Sequence, residues 1–546
     1  MARRIVRTIV QLICLSVLLV TAVFFLDLRY RLLPPRLHNL LPEHHAGSVI
    51  TDITYHSCSR VAILSDCTLN PQEGWIRINK DVHLNQGWVK QGYIHIKRKK
   101  EEELDILAGE RLVVDIRVGR LEPPTENGIK WETRPGGIWI KRQTKIVDDA
   151  VTGVDVLFGV DAVEVRPGWM MREGSLTSGE NARITLRKGQ PVEVVKPVLR
   201  LKNHKFKIIQ ISDLHLSTGT GHCRDAEPPS SVAGCEADPR TLDFIAKILD
   251  EEKPDFAVLS GDQVNGDTAP DAQSAIFKFA EPFVKRNIPY ATILGNHDDE
   301  GNLSREEIMK ITSILPYSLS EVGPRLGGVT KDKKGREGRE GGVGNYYVEV
   351  KTQKGDHSAI TIYFFDTHSY SSDEKNYGGY DWVKPPQIEW FKKTHASLKD
   401  HASGYSFVHL NMAFIHIPLP EYRRPGAPMV GKYRERPTAP KFNSGFKDVL
   451  ANADVSVVSA GHDHANEYCM LDQEGEKMKM WMCYAGGSGF GGYGGYGGYH
   501  RRVRIFEIDS PADRITTWKR VEYGETDKRI DEQILVEGGA VVQHNV

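Results

Sequence analysis

From Lys205 onward the chain alternates short apolar runs with amphipathic segments, and this alternation constrains the fold more than any other feature. The run FKIIQIS is followed by TLDFIAKILDEE, DFAVLSGD, a helical pattern near residues 272–285, and YATILGNH. Later apolar runs are AITIYFFDTH, YSFVHL, MAFIHIP and DVSVVSAGHDH, and a further helical pattern lies in PPQIEWFKKTHASL. β-Branched runs that alternate with amphipathic helices predict an α/β domain with a buried sheet.

Five of these apolar runs end in polar residues that a hydrophobic core has no reason to contain. Ligands of open α/β folds lie outside the carboxyl ends of the strands, so we expect these side chains to converge on one site. They are carboxylates, an amide and imidazoles: Asp213, His215, Asp262, Asn296, His297, Asp298, His416, His462 and His464.

Seven of these side chains form a candidate set of metal ligands that contains no thiolate. Carboxylate, amide and imidazole donors suit borderline divalent ions such as Mn, Fe or Zn. Seven donors are too many for one tetrahedral ion. Two ions about 3.5 to 4 Å apart would activate water and stabilise an in-line displacement at phosphorus. With one carboxylate bridging, the predicted sets are Asp213, His215, Asp262 and His464 for one ion, and Asp262, Asn296, His416 and His462 for the other.

The motifs DLH, GDQ, GNHD, a lone histidine after an apolar strand and GHDH occur in this order. They resemble the calcineurin-like metallophosphoesterase superfamily over roughly residues 206–508. The stretches HIPLPEY, YDWVKPPQIEWF and GGYGGYHRRVRIFEID further resemble the fungal dosage-dependent cell cycle regulator phosphatases and the plant purple-acid-phosphatase-like proteins. The resemblance implies phosphoester hydrolysis at a dinuclear centre in a four-layer α/β/β/α sandwich, which we assign to residues 204–525.

The resemblance also implies how the reaction proceeds. A hydroxide held between the two metals would attack phosphorus, and His297 would act as general acid on the leaving oxygen. We expect Asp298 to orient His297. Purple acid phosphatases carry a tyrosine in the second motif, where this chain has Asn265, and their first motif lacks the histidine that stands here as His215. These departures predict a divalent pair rather than an obligatory ferric ion.

The leading functional hypothesis is a phosphomonoesterase, with phosphoproteins and small phosphomonoesters as candidate substrates. A phosphodiesterase that acts on a small diester is one alternative, and a non-catalytic interaction module of the same fold is another. The formal net charge of −1 gives no support to a nucleic-acid partner. The oligomeric state is left open by the sequence.

The first 48 residues differ in character from the rest. Residues 8–26, TIVQLICLSVLLVTAVFFL, carry no charge and are about long enough to cross a hydrocarbon core as a helix. They predict an uncleaved single-pass membrane anchor. A cleaved signal peptide is the alternative, but the run exceeds the usual apolar region and is followed by no small-residue cleavage site. Residues 27–48, rich in Pro, Leu and Arg, are interpreted as a stalk.

Three further segments complete the organisation of the chain. Residues 49–198 contain short alternating runs broken by Gly and Pro, which predict a β-rich domain. Residues 526–546 are interpreted as a tail. The Gly-Gly-Tyr repeat at residues 489–500 is compatible both with a flexible linker and with a cleft lined by tyrosines.

The six cysteines outside the predicted anchor form neighbouring pairs in the sequence. Such spacing suits short disulfides in an oxidising compartment. We therefore expect the catalytic domain to lie in the lumen of the secretory pathway or vacuole rather than in the cytosol. The expected pairs are Cys58 with Cys67, Cys223 with Cys235, and Cys469 with Cys483.

Overall fold

The computed structural model describes residues 48–543, apart from residues 60–66, 88, 101–102, 105–108, 126–127, 129, 145–149 and 332–333, together with Gln11 and Leu15. Apart from these two residues and Ser48, the predicted membrane anchor at 8–26 and stalk at 27–48 lie outside the described residues. Within the described ranges, no helix has the length and apolar character needed to cross a membrane.

The N-terminal part of the described chain forms a β domain of three antiparallel three-stranded sheets around a shared core. The strand order is the same in each sheet, with the third strand between the first and the second. The first strand of every sheet contains a register irregularity. The β-rich region predicted from the sequence is thus a threefold repeat. Its strands are β1 (Ser48–Ser59), β2 (Trp75–Arg77), β3 (Lys90–Lys100), β4 (Leu112–Val118), β5 (Trp131–Arg134), β6 (Ile138–Gln143), β7 (Val151–Phe158), β8 (Trp169–Met171) and β9 (Ala182–Lys188).

An α/β domain follows. Its strands are β10 (Lys205–Ile211), β11 (Phe256–Ser260), β12 (Tyr290–Ile293), β13 (Val329–Lys331), β14 (Glu337–Arg339), β15 (Tyr346–Lys351), β16 (Ser358–Phe364), β17 (Leu410–Phe414), β18 (Met429–Val430), β19 (Val455–Ala460), β20 (Cys469–Glu474), β21 (Lys477–Tyr484), β22 (Arg502–Asp509), β23 (Arg514–Val521), β24 (Ile530–Glu537) and β25 (Ala540–Val541). Its helices are α1 (Ala237–Glu252), α2 (Ala272–Arg286), α3 (Arg305–Ser313), α4 (Glu374–Tyr377), α5 (Pro385–Ala402) and α6 (Phe446–Ala451).

Two seven-stranded sheets pack face to face in this domain, and helices cover their outer faces. The strand orders are β12-β11-β10-β22-β23-β24-β25 and β15-β16-β17-β19-β21-β20-β18. Phe206 and Val258 of the first sheet meet Ile362 and Phe414 of the second in a common core. Helices α1 to α3 pack on the first sheet, and α5 and α6 pack on the second. The layers are those of the predicted mixed α/β sandwich.

The first sheet extends beyond the predicted domain boundary. Strands β24 and β25 lie within the segment 526–546 that was interpreted as a tail, and β24 pairs with β23. Leu535 and Val536 are fully buried in the core between the two sheets. This segment is therefore part of the α/β domain.

The β domain contacts the α/β domain at helix α2. The backbone N–H of Phe158 donates a hydrogen bond to Ser274 Oγ at 2.9 Å. Asp161 forms an ion pair of 2.7 Å with the buried ammonium group of Lys278. The same ammonium group also contacts the buried Asp238 carboxylate of the α/β domain, so Lys278 links one acidic residue from each domain.

Candidate metal centre

Parallel strand pairing brings the five predicted strand exits to one edge of the sandwich. Strands β10, β11 and β12 run parallel in the first sheet. Strands β16, β17, β19 and β21 run parallel in the second. The polar residues that follow β10, β11, β12, β17 and β19 therefore meet where the carboxyl ends of both sheets come together.

Six of the seven predicted ligands form two buried groups, and the candidate ligand atoms within each group lie within 4.8 Å of one another. In the first group, His464 Nε2 lies 3.0 Å from His215 Nε2 and 3.5 Å from Asp213 Oδ1. In the second group, His416 Nε2 lies 3.2 Å from Asp262 Oδ2. The groups are Asp213, His215 and His464, and Asp262, His416 and His462.

Asp262 connects the two groups. Its Oδ2 atom faces His416 and also lies 3.8 Å from His215 Nε2 in the other group. Asn296, the seventh predicted ligand, places Oδ1 3.3 Å from His416 Nε2. The structure thus brings the seven residues together, with Asp262 between the two groups.

The polar atoms of the site fit metal ions. The Nε2 atoms of His215 and His464 face each other at 3.0 Å, so at most one of them can donate a hydrogen bond to the other. His462 Nε2 is buried and has no hydrogen-bond partner in the part of the chain that the structure describes. Buried polar atoms are normally paired. Divalent cations would accept these imidazole lone pairs.

The electrostatics of the site also suit cations. Burial lowers the pKa values of His215 and His462 to about 3, which leaves both imidazoles neutral and able to bind a metal. Burial also opposes charge on His416, but the neighbouring Asp262 carboxylate outweighs this effect and raises the pKa of His416 to about 9. Asp262 thus attracts positive charge to the atoms that a metal would contact.

Four candidate ligands adopt the left-handed backbone conformation. Their φ angles are 57° for Asp213, 49° for His215, 53° for Asp262 and 75° for His462. This conformation costs a residue other than glycine about 1 to 3 kcal/mol, and such strain concentrates at functional sites. The strain here lies at the strand ends that carry the candidate ligands.

His297 lies at the rim of the centre. Its ring is 5.4 Å from the His215 ring, its side chain is 21% exposed, and its Nδ1 lies 2.7 Å from Glu300 Oε2. Burial disfavours the charged ring, but the Asp262 and Glu300 carboxylates outweigh burial and raise the pKa of His297 to about 9. When His297 is protonated and its Nδ1 contacts Glu300, its Nε2–H group can donate a hydrogen bond or a proton.

Asp298 has a different partner from the one predicted. Its carboxylate accepts hydrogen bonds from the backbone N–H groups of Asp262, Val264 and Gly295, at 3.0, 2.9 and 2.6 Å. Asp298 therefore ties together the loops that follow β11 and β12. Glu300 makes the contact with His297 that was expected of Asp298, and nothing local distinguishes it among three consecutive acidic residues.

Tyrosines that the sequence analysis did not assign to the site also line it. Tyr493 stacks on His464 with ring centroids 4.2 Å apart, and its hydroxyl donates to the His462 carbonyl oxygen at 3.0 Å. The Tyr380 ring meets His462 edge-on at 4.4 Å. In the sequence, Tyr493 belongs to the Gly-Gly-Tyr repeat, which is compatible with a cleft lined by tyrosines, and Tyr380 begins the stretch YDWVKPPQIEWF.

The cysteine pairs expected from the sequence are bonded as disulfides: Cys58–Cys67, Cys223–Cys235 and Cys469–Cys483. The second bridge follows the first ligand motif, and the third follows the last ligand motif. Disulfides thus constrain the chain next to both ends of the ligand set.

A helix-covered double sheet, with two adjoining groups of carboxylates and imidazoles at its strand ends, defines the class of dinuclear metallohydrolases. Sequence comparison identifies the family: residues 206–466 match the profile described as Calcineurin-like phosphoesterase. The chain belongs to this family. It is a metal-dependent phosphatase, a hydrolase that acts on phosphoester bonds.

Relatives of the chain occur in fungi and plants. Phosphatase DCR2 of Saccharomyces cerevisiae is 38% identical over 71% of this chain and 67% of that protein. An uncharacterised protein of Schizosaccharomyces pombe is 32% identical over 84% of each chain. Probable inactive purple acid phosphatase 29 of Arabidopsis thaliana is 33% identical over 61% of this chain and 84% of that protein. The family resemblance inferred from the strand-end motifs is confirmed.

Proposed function

We propose that the protein is a phosphomonoesterase whose substrates are phosphoproteins or small phosphomonoesters. The observation that carries the proposal is the pair of buried ligand groups linked by Asp262, with His297 partly exposed at their rim. The name of the yeast relative, Phosphatase DCR2, supports the same ester class. Two divalent ions, Mn, Fe or Zn, would be held by Asp213, His215, Asp262, Asn296, His416, His462 and His464.

When bound, these ions would supply Lewis acidity toward water and toward the phosphoryl oxygens. The remaining tasks fall to residues of the chain. Glu300 holds Nδ1 of His297, so Nε2 is the atom that can protonate the leaving oxygen. Asp298 keeps the loops of Asp262 and Gly295 together through their backbone amides. The leaving group therefore departs on the His297 side of the centre.

Paired substrates test the ester class. 4-Nitrophenyl phosphate and bis(4-nitrophenyl) phosphate release the same leaving group, so the ratio of their kcat/KM values compares a monoester with a diester. We expect the monoester to be preferred, and its hydrolysis to stop on chelation and return with Mn²⁺. A preference for the diester would favour a phosphodiesterase. Failure to hydrolyse either ester with two metals bound would favour a non-catalytic module.

We also propose that the catalytic domain is lumenal and that residues 8–26 anchor it in the membrane. The disulfides support an oxidising compartment. Asn302, in the sequon Asn-Leu-Ser, is exposed, and its Oδ1 accepts a hydrogen bond from the Ala272 N–H at 3.0 Å. A glycan on Nδ2 would leave that hydrogen bond in place.

Endoglycosidase treatment of the protein from cells tests this localisation. A lumenal domain is expected to lose mass on treatment, and the Asn302→Gln variant should migrate like the treated wild type. Asn265→Gln, which changes an asparagine outside any sequon, serves as the control. An unmodified Asn302 together with reduced cysteines would place the domain in the cytosol.

A further inference from the structure

The Gly-Gly-Tyr segment, residues 489–500, is packed against the first ligand loop. A Cβ atom on Gly489 would lie 1.9 Å from the Leu214 carbonyl oxygen, and one on Gly492 would lie 2.7 Å from Cγ of the His215 ring. Gly492 also has a φ of +80°, a conformation that favours glycine. The glycines therefore allow the backbone of this segment to approach His215 closely, and the segment forms one wall of the metal centre.

Within this wall, Tyr499 contacts the side of His464 that faces away from the other candidate ligands. Nε2 of His464 faces His215 and Asp213. The opposite ring nitrogen, Nδ1, lies 3.2 Å from the hydroxyl oxygen of Tyr499. Tyr499 is only 1% exposed, so water does not compete freely for this contact.

Tyr499 is itself held in place by a buried arginine. The Arg501 guanidinium lies 3.7 Å from the centre of the Tyr499 ring and is 1% exposed. It donates hydrogen bonds to the backbone carbonyl oxygens of Gly489, Tyr499 and Asp225. Arg501 thus joins both ends of the Gly-Gly-Tyr segment to the loop after the first ligand motif, which fixes the position of the phenol.

We propose that Tyr499 is a positioning residue that sets the tautomer and orientation of His464 for metal binding. For His464 Nε2 to offer its lone pair, Nδ1 must carry the proton, and the Tyr499 oxygen accepts that N–H. The inference rests on the proposed function, because it requires His464 to bind a metal. Loss of such an outer partner weakens metal affinity by about 10- to 100-fold.

The substitution Tyr499→Phe tests the proposal, because it removes the hydroxyl and keeps the ring. Zn²⁺ is titrated into metal-free protein in competition with a chromophoric chelator, which resolves two affinities. We expect one site to weaken by about 10- to 100-fold and the other to keep its wild-type affinity. The matched control is Tyr346→Phe, at a buried tyrosine outside the metal centre whose hydroxyl donates to the Thr292 carbonyl oxygen at 2.6 Å. This control should leave both affinities unchanged.

A double-mutant comparison separates positioning from a general effect on the fold. If Tyr499 acts through His464, adding Tyr499→Phe to His464→Ala should not weaken Zn²⁺ binding further. Further weakening in the double variant would overturn the proposal, as would wild-type affinity at both sites in Tyr499→Phe. Wild-type protein that binds no Zn²⁺ would instead refute the proposed function on which the inference rests.

A measurement on wild-type protein keeps the test independent of how well any variant folds. Long-range ¹H–¹⁵N NMR spectra of Zn²⁺-loaded protein labelled at histidine report which nitrogen of each imidazole carries the proton, and His464→Ala identifies the His464 signals. We expect His464 to bind Zn²⁺ through Nε2 and to carry its proton on Nδ1. Binding through Nδ1 would overturn the proposal.

Discussion

The Glu300 carboxylate lies 2.7 Å from Nδ1 of His297 at the rim of the metal centre. This contact fixes the ring and favours its protonated form. Glu300→Gln keeps the shape of the side chain and removes its charge, so we expect kcat to fall by about tenfold. That is less than the 100- to 10,000-fold contribution of a general acid. Metal content should match wild type. Asp267→Asn, which neutralises an exposed carboxylate, should change neither quantity.

His297→Ala should lower kcat by about 100- to 10,000-fold while metal content stays near wild type, because Asn296 rather than His297 is the candidate ligand. The loss should be smallest for aryl phosphates with acidic leaving groups, which need little protonation. The measurement is kcat across a series of esters with leaving groups of different pKa. If kcat depended equally on leaving-group pKa in the variant and in wild type, His297 would not be the general acid.

Asp262→Asn should weaken both metal sites together, because Asp262 Oδ2 faces His416 in one group and His215 in the other and its charge would be shared by two cations. Elemental analysis after metal loading should give well under one ion per chain, because both sites lose affinity. Asp250→Asn, at an exposed carboxylate paired with Arg286, is the control and should keep two. Loss of a single ion from Asp262→Asn would contradict the bridging position.

The bridges Cys223–Cys235 and Cys469–Cys483 close loops with sequence separations of 12 and 14 residues. Replacing both cysteines of either pair with serine should lower the free energy of unfolding by about 3 kcal/mol through loss of the constraint on the unfolded chain. Denaturant unfolding measures this loss. Non-reducing peptide mapping of wild type should recover both linked pairs, and four free thiols would reject them.

Glu252 is expected to make part of the free energy of unfolding sensitive to acid. It is 7% exposed and accepts a hydrogen bond from Arg520 at 2.6 Å. Burial opposes its charge, but Arg520, Trp518 and Lys207 together hold its pKa below the ordinary value of 4.5. A depressed carboxyl pKa stabilises the fold above the ordinary pKa, and this stability is lost as the pH falls through the folded-state value.

Glu252→Gln should therefore destabilise the protein by about 1.5 to 3 kcal/mol at pH 7. The difference from wild type should begin to shrink as the pH falls below about 4.5, where the carboxyl of the unfolded chain protonates, and should vanish below the lower pKa of the folded state. Denaturant unfolding between pH 3 and pH 7 measures the trend. Glu532→Gln, at a surface pair with Arg529, should have little effect at any pH. A constant difference across this range would contradict the assignment.

The candidate ligands could be read from the sequence because their signal is local. An apolar run such as DFAVLSGD identifies a buried strand, and the residue just past its end, Asp262, must lie at the carboxyl edge of the sheet. The same reasoning located Asn296, His416 and His464, and the order of the motifs identified the family. The cysteine pairs were equally accessible, because their partners are close in the chain.

Only the tertiary structure shows which other side chains contact the residues of the site. Glu300, rather than Asp298, contacts His297, because the direction of a side chain in a loop depends on the backbone turn and on the amides nearby. Tyr499 reaches His464 across 35 residues, in a segment whose composition also suits a flexible linker. Strand β24 joins the sheet by pairing with β23, and the local sequence of residues 526–546 did not predict this pairing. Such contacts form only when folding brings the two partners together. The spacing of residues along the chain therefore does not predict them.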